Sequence, residues 1–206
     1  MGELRVRSVL VTGANRGIGL GFVRHLLGLP NPPEWVFAAC RDPKGQRAQE
    51  LQNLASKHPN LVIIPLEVTE PASIKAAAAS VGEHLKGSGL NLLINNAGMV
   101  VYKTLDAETQ EDMSQVYATN TIGPLLLSQA ALNMLTKCQS LGYQEHGILC
   151  AALHPGWVQT DMGNTAGETP PVTVDESVGG MLKVISSFSE KDTGTFLDWE
   201  GKVVPW

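Results

Sequence analysis

Short apolar, β-branched runs alternate with helical stretches along this chain. The strand candidates are VRSVLVTG (6–13), EWVFAACR (34–41), NLVIIPLEV (60–68), LNLLINNAG (90–98), HGILCAALHPG (146–156) and GTFLDWEG (194–201). Runs this continuously apolar predict strands covered on both faces. Between them lie GIGLGFVRHLLGL, KGQRAQELQNLASKH and PASIKAAAASVGEHL. One long helical segment follows, from about 109 to 141, and then VDESVGGMLKVISSF. The alanine-rich run 75–80 is a strong helix former, and Thr173 or Asp175 can cap the last helix. Strand–helix alternation of this kind predicts an α/β fold, a doubly wound parallel sheet with right-handed crossovers, as a single domain over residues 1–206. In such a sheet a ligand sits outside the carboxyl ends of the strands. Function is therefore sought at 12–19, 40–42, 67–69, 95–98 and 153–161.

Composition narrows the classes of partner. The 206 residues are 43% hydrophobic and 17% charged, enough to bury a core without staples. A formal charge of −5 argues against a nucleic-acid or anionic-membrane surface. Cys40, Cys138 and Cys150 are odd in number and widely spaced, which fits reduced, mostly buried thiols better than a disulfide framework. There is no signal-like h-region and no apolar span of membrane length, so the expectation is a soluble, cytoplasmic protein. Five scattered histidines without ligand spacing predict no metal site; His154 reads as a structural loop residue. The tryptophans Trp35, Trp157, Trp199 and Trp206 read as core or subunit-contact residues.

The first strand candidate runs into VLVTGANRGIGLGF, which places Gly13, Gly17 and Gly19 between a strand and a helix. Glycine permits the tight turn and lets backbone approach a pyrophosphate, while the helix N-terminus offers unpaired N–H groups to the anion. Asn15, Arg16 and Ile18 fill out the loop. The second strand ends in Cys40-Arg41, where a guanidinium suits the 2′-phosphate of NADP and an acid would favour NAD. The plainer alternative is that Arg41 and Asp42 are solvated turn residues.

The spacing of that loop resembles the TGxxxGIG motif of the short-chain dehydrogenase/reductase family. Further motifs agree: NNAG (Asn95, Asn96, Ala97, Gly98) after the fourth strand, Asn120 in NTIGP, and HPGWVQTDMG (154–163). Within the family, NRGIG, HPGWVQTDMG and the closing DWEGKVVPW look like the sniffer/C-factor-like carbonyl reductases. The resemblance implies a Rossmann-type fold and an NADP(H) cofactor held by Gly13, Asn15, Arg16, Gly17, Ile18, Gly19, Arg41, Glu67, Val68, Asn95, Ala97, Gly98, Pro155, Gly156 and Thr160. Glu67 stands where the family usually has an aspartate that contacts adenine. The implied substrate is a small carbonyl compound. The implied assembly is a homodimer, or a heterodimer with a full-length relative.

Carbonyl reduction needs a proton donor at the developing alkoxide. The resemblance assigns it to a tyrosine with a lysine four residues on and a serine on the preceding strand, beside Asn120. This chain has three tyrosines, and Asp106, Thr121 and Gly147 stand four residues after Tyr102, Tyr117 and Tyr143. No Tyr-x-x-x-Lys occurs. The segment LLLSQAALNMLTKCQ (125–139) resembles a junction at which the family's fifth helix meets the later part of its sixth. The intervening strand–helix unit is missing, a loss of about 30 residues or more. Asn120 is then the sole remaining member of the catalytic set. Lys137 reads as a solvated helix lysine, and Tyr117 as a packing residue in the pattern Met113, Val116, Tyr117. A helix fused across 109–141 would be about 50 Å long at 1.5 Å per residue. It is expected to break at Gly123-Pro124 or to overhang, and the neighbouring strands to lose a pairing partner. Three outcomes follow: a carbonyl reductase by family, a truncated isoform that binds nucleotide or a partner without catalysis, or a poorly folded by-product.

Overall fold

A computed structural model describes residues 4–130, 147–166 and 168–204. All six strand candidates form strands: β1 (Ser8–Thr12), β2 (Trp35–Cys40), β3 (Leu61–Pro65), β4 (Leu92–Ile94), β5 (Ala152–His154) and β6 (Phe196–Asp198). The helices are α1 (Gly17–Leu27), α2 (Gln49–Ala55), α3 (Pro71–Leu85), α4 (Gln110–Tyr117), α5 (Gly123–Ala130) and α6 (Val174–Ser187).

Strands β3-β2-β1-β4 form one parallel sheet in that order. The register pairs Val9 with Val36 and with Leu92, and Cys40 with Pro65. Because every pair is parallel, the carboxyl ends of all four strands lie along one edge. Alternation along each strand sends side chains to opposite faces. Val9, Val11, Val36 and Ala38 meet Leu20, Val23 and Leu26 of α1, Leu51 of α2, and Val178, Met181 and Leu182 of α6. Leu10, Phe37, Ala39 and Ile64 meet Ile74, Ala77, Val81 and Leu85 of α3, together with Leu127 of α5. Two covered faces explain the unbroken apolar runs. Phe37 and Leu26 are fully buried, and each such side chain contributes about 1.5–3 kcal/mol.

Among the described residues the sheet does not continue past β4. Strands β5 and β6 form a separate parallel pair, with Ala152 opposite Phe196 and His154 opposite Asp198. Contact between the halves comes from α1 packing on α6 and from the shared core cluster.

Two expectations about the long helix need correction. The chain does not break at Gly123-Pro124: α4 runs into a π-helical turn, Ala118–Ile122, and on into α5. Pro124 has no N–H to give to Asn120 and its ring crowds that carbonyl, and widening the preceding turn relieves both. Nor is Tyr117 a packing residue. Met113 and Tyr117 are 62% and 60% exposed, so this i, i+4 pair faces outward. The proposed junction after Ala130, with Lys137, Cys138 and Tyr143, lies outside the described residues, as does Trp206. The cap at Thr173 is present as a reciprocal box with Glu176.

Candidate active site

The strand carboxyl ends open into one cleft of about 2340 Å³. Of the residues expected there, Gly13, Asn15, Arg16, Gly17, Ile18, Arg41, Glu67, Val68, Asn95, Ala97, Gly98, Asn120, Pro155 and Thr160 line it. Gly19 and Gly156 stand behind the lining. A Cβ on Gly19 would lie 2.6 Å from Asn96 Nδ2 and closer still to the Gly13 carbonyl, so only glycine fits. Gly156 faces Trp199, where a Cβ would lie 3.1 Å from the indole.

The glycine loop is held from behind by groups that the motif alone did not reveal. The hydroxyl of Thr12, itself buried, accepts from the backbone N–H of Asn96 (3.0 Å) and of Ala97 (2.9 Å). The Asn96 amide donates back to the carbonyls of Thr12 (2.9 Å) and Gly13 (3.3 Å). Thus β1 and β4 fix the turn from which α1 starts. Gly17 has φ +52°, in the left-handed region. The cap residue Arg16 uses no side-chain cap bond, and the first turn of α1 carries no acid. The opening N–H groups and the helix dipole are therefore available to an anion.

Two guanidinium groups flank this turn. Arg16 pairs with Asp161 at 2.6 Å, which ties the glycine loop to the loop after β5. Arg41 is 78% exposed at the end of β2, and its ion-pair partner Glu67 is 3.8 Å away. Glu67 is turned inward, where its Oε1 accepts from the N–H and the hydroxyl of Thr69. Cys40, one residue before Arg41, is buried, and burial together with the Asp42 charge raises its thiol pKa. That thiol stays protonated and unreactive.

The side of the cleft where chemistry would occur is different. Asn120 spends both ends of its amide on one peptide: Oδ1 accepts from Met99 N–H (2.8 Å) and Nδ2 donates to Met99 O (2.7 Å). Its side chain therefore clamps the loop after β4. Thr160 is also engaged locally, donating to Val158 O and accepting from Gly163 N–H. Pro155 O accepts from Ser177, which anchors α6 to the loop. Tyr102 donates to Met162 O at 2.5 Å, and the Lys103 ammonium is bound to Asp112. Among the described residues no phenol and ammonium meet in the cleft, and no cluster of histidine, cysteine or acids suits a metal. His154 is not a loop residue, as the sequence suggested, but the last residue of β5, opposite Asp198, and its Nδ1 accepts from Gly156 N–H.

The comparisons with known proteins agree with this geometry. A family model for short chain dehydrogenase matches residues 7–137. The chain belongs to the short-chain dehydrogenase family. It is similar to an NADPH-bound carbonyl reductase from chicken fatty liver, with 64% identity, 98% of this chain and 100% of that chain covered, and a TM-score of 0.94. The carbonyl reductase Sniffer of Drosophila melanogaster is 30% identical over the same shares, with a TM-score of 0.91. An uncharacterized oxidoreductase of Schizosaccharomyces pombe is 30% identical over 250 positions, covering 95% of this chain and 96% of the relative. That alignment is longer than the 206-residue chain, so the relative carries stretches with no counterpart here. No helix among the described residues is long and apolar enough to cross a membrane.

Proposed function

We propose that this chain binds NADP(H) in the cleft and does not complete carbonyl reduction. The fit to the cofactor rests on the chain's own groups. Open N–H groups at the start of α1 suit the pyrophosphate, with Gly13, Gly17 and Gly19 allowing close approach. Arg41 suits the ribose phosphate, supported by Arg16, whose charge is shared with Asp161. The 64% identity to an NADPH-bound carbonyl reductase supports the same choice of cofactor.

A bound NADPH supplies hydride to a carbonyl carbon; the protein must supply the proton to the oxygen. The observation that carries the loss of activity is the sequence itself. No tyrosine is followed four residues later by lysine, so no phenol has a cation one helical turn away to lower its pKa. The excess length of the relative's alignment, and a sheet that among the described residues ends at β4, support an internal loss of one strand–helix unit, a truncated isoform. Asn120, with its amide committed to Met99, keeps a structural task.

Titration with NADPH followed by an NADPH-oxidation assay on reactive carbonyl compounds tests both halves. Saturable binding with oxidation no faster than the protein-free rate is expected. Substrate-dependent turnover would overturn the proposal, and absence of NADPH binding would overturn the cofactor assignment.

A further inference from the structure

We infer that Asp161 is an internal competitor for the cofactor site: its carboxylate holds the Arg16 guanidinium, and a dinucleotide phosphate displaces it on binding. The inference rests on the reading of the cleft as an NADP(H) site and names the chain's own group that opposes entry.

Arg16 is the N-cap of α1, the residue at which the open N–H groups of the glycine loop begin. Its backbone is extended (φ −163°) and its side chain makes no cap bond. Instead Nη1 reaches across the mouth of the cleft to Asp161 Oδ2 at 2.6 Å, 145 positions away on the loop after β5. Both residues line the cleft. Thr160, one residue before Asp161, lies directly on the start of α1: a Cβ on Gly17 would be 3.4 Å from its Cγ2. A helix N-terminus favours a negative counter-charge, and the first turn of α1 carries no acid of its own. Asp161 thus brings, from a distant loop, the negative charge that a phosphate would bring.

The two partners differ in freedom. Asp161 rides on a turn that is bonded within itself and to its neighbours. Thr160 Oγ1 accepts from Gly163 N–H (3.1 Å), Thr160 O accepts from Asn164 N–H (2.9 Å), and Gln159 N–H donates to Val172 O (2.9 Å). The Tyr102 hydroxyl holds the far side of the turn through Met162 O. Arg16 is therefore the member that swings. Its side chain is 47% exposed and that of Asp161 77%, so the pair is weak and screened by salt. It yields to a phosphate, which accepts from both prongs of the guanidinium and from the helix N–H groups together.

The test is fluorescence titration of the full chain with NADPH and with NADH, at low salt and at about 0.5 M sodium chloride. Asp161→Asn should tighten NADPH by about threefold to fivefold at low salt, the range that an exposed ion pair can supply. The gain should shrink below about 1.5-fold at the higher salt. Asp161→Glu keeps the charge and should stay within about twofold of the wild type. In an Arg16→Ala background Asp161→Asn should change nothing, which a merely structural role of the turn would not produce. Tightening of NADPH and NADH alike assigns the freed guanidinium to the pyrophosphate, and tightening of NADPH alone assigns it to the 2′-phosphate; both support the proposal. Saturable NADPH binding by the wild type with unchanged or weaker binding by Asp161→Asn overturns it and leaves the cofactor assignment standing. An equal gain in the absence of Arg16 overturns it too. If neither the wild type nor Asp161→Asn binds NADPH, the cofactor assignment falls and the competitor role falls with it.

Discussion

Replacing Gly19 by alanine is a test in which general propensity and this structure predict opposite signs. Gly19 lies in the first turn of α1, where alanine is better than glycine by about 1 kcal/mol on propensity alone. The added methyl group, however, would lie 2.6 Å from Asn96 Nδ2 and would press on the Gly13 carbonyl, which is backbone and cannot rotate away. Overpacking of this kind costs about 1–3 kcal/mol. Displacing the Asn96 amide gives up its bonds to Thr12 and Gly13 as well, at about 1 kcal/mol for a typical bond. The net expectation is a loss of about 2 kcal/mol, a fall in Tm of about 4–8 °C for a chain of this size. Because the displaced turn is the one that meets the pyrophosphate, NADPH affinity should fall by about thirtyfold, the equivalent of the same 2 kcal/mol. Gly17→Ala is the matched control. There the methyl meets only Thr160 Cγ2 at 3.4 Å, and the left-handed φ costs about 1–2 kcal/mol without moving the opposite wall. Differential scanning fluorimetry and NADPH fluorescence titration read both quantities. A Gly19→Ala chain with raised Tm, or with NADPH binding less affected than in Gly17→Ala, would refute the close approach.

Three further outcomes can be checked. Thr12→Val leaves the N–H groups of Asn96 and Ala97 without their acceptor and should cost about 1–3 kcal/mol, seen as a lower urea midpoint at unchanged m-value. Arg41→Ala should weaken NADPH by about tenfold, consistent with loss of one charged bond of about 1.5–3 kcal/mol that is partly screened, and leave NADH unchanged in parallel titrations. Thr173→Ala removes the cap of α6 at about 1 kcal/mol near neutral pH. The Thr173 N–H and hydroxyl hold the Glu176 carboxyl below the usual carboxylate range, so its contribution is present above the unfolded pKa and is lost as pH falls. The Tm gap between wild type and Thr173→Ala should therefore narrow from pH 7 to pH 3, and a constant gap would exclude the carboxylate from the cap.

The strands were legible because burial on two faces leaves an unbroken apolar run, and all six appear where such runs occur. Boundaries shifted inward: LNLLINNAG yields only three paired residues, Leu92–Ile94, and among the described residues β4 pairs with β1 alone. The glycine loop was equally legible, because its backbone demands are local. What the sequence concealed are ties between distant residues. Asn96 and Thr12 are 84 positions apart, and Arg16 and Asp161 are 145 apart, so nothing local marks them as partners. Periodicity also misled at Met113 and Tyr117, because a helical stripe shows which side chains share a face and not what covers it. Proline 124 misled for a different reason: a π-helical turn absorbs the missing donor, an escape that residue identities do not signal.

The seam between α1 and α6 has a mechanical meaning. A methyl group on Gly21 would come within 2.5 Å of Val174 Cγ1 and 3.1 Å of Val178 Cγ2, so the two helices meet almost backbone to side chain. With no ladder among the described residues running from one sheet to the other, this weld carries much of the cohesion between the amino-terminal two-thirds and the carboxyl-terminal remainder. Prying it apart would release the last strand pair as a unit, while β1 to β4 kept their own lattice of bonds.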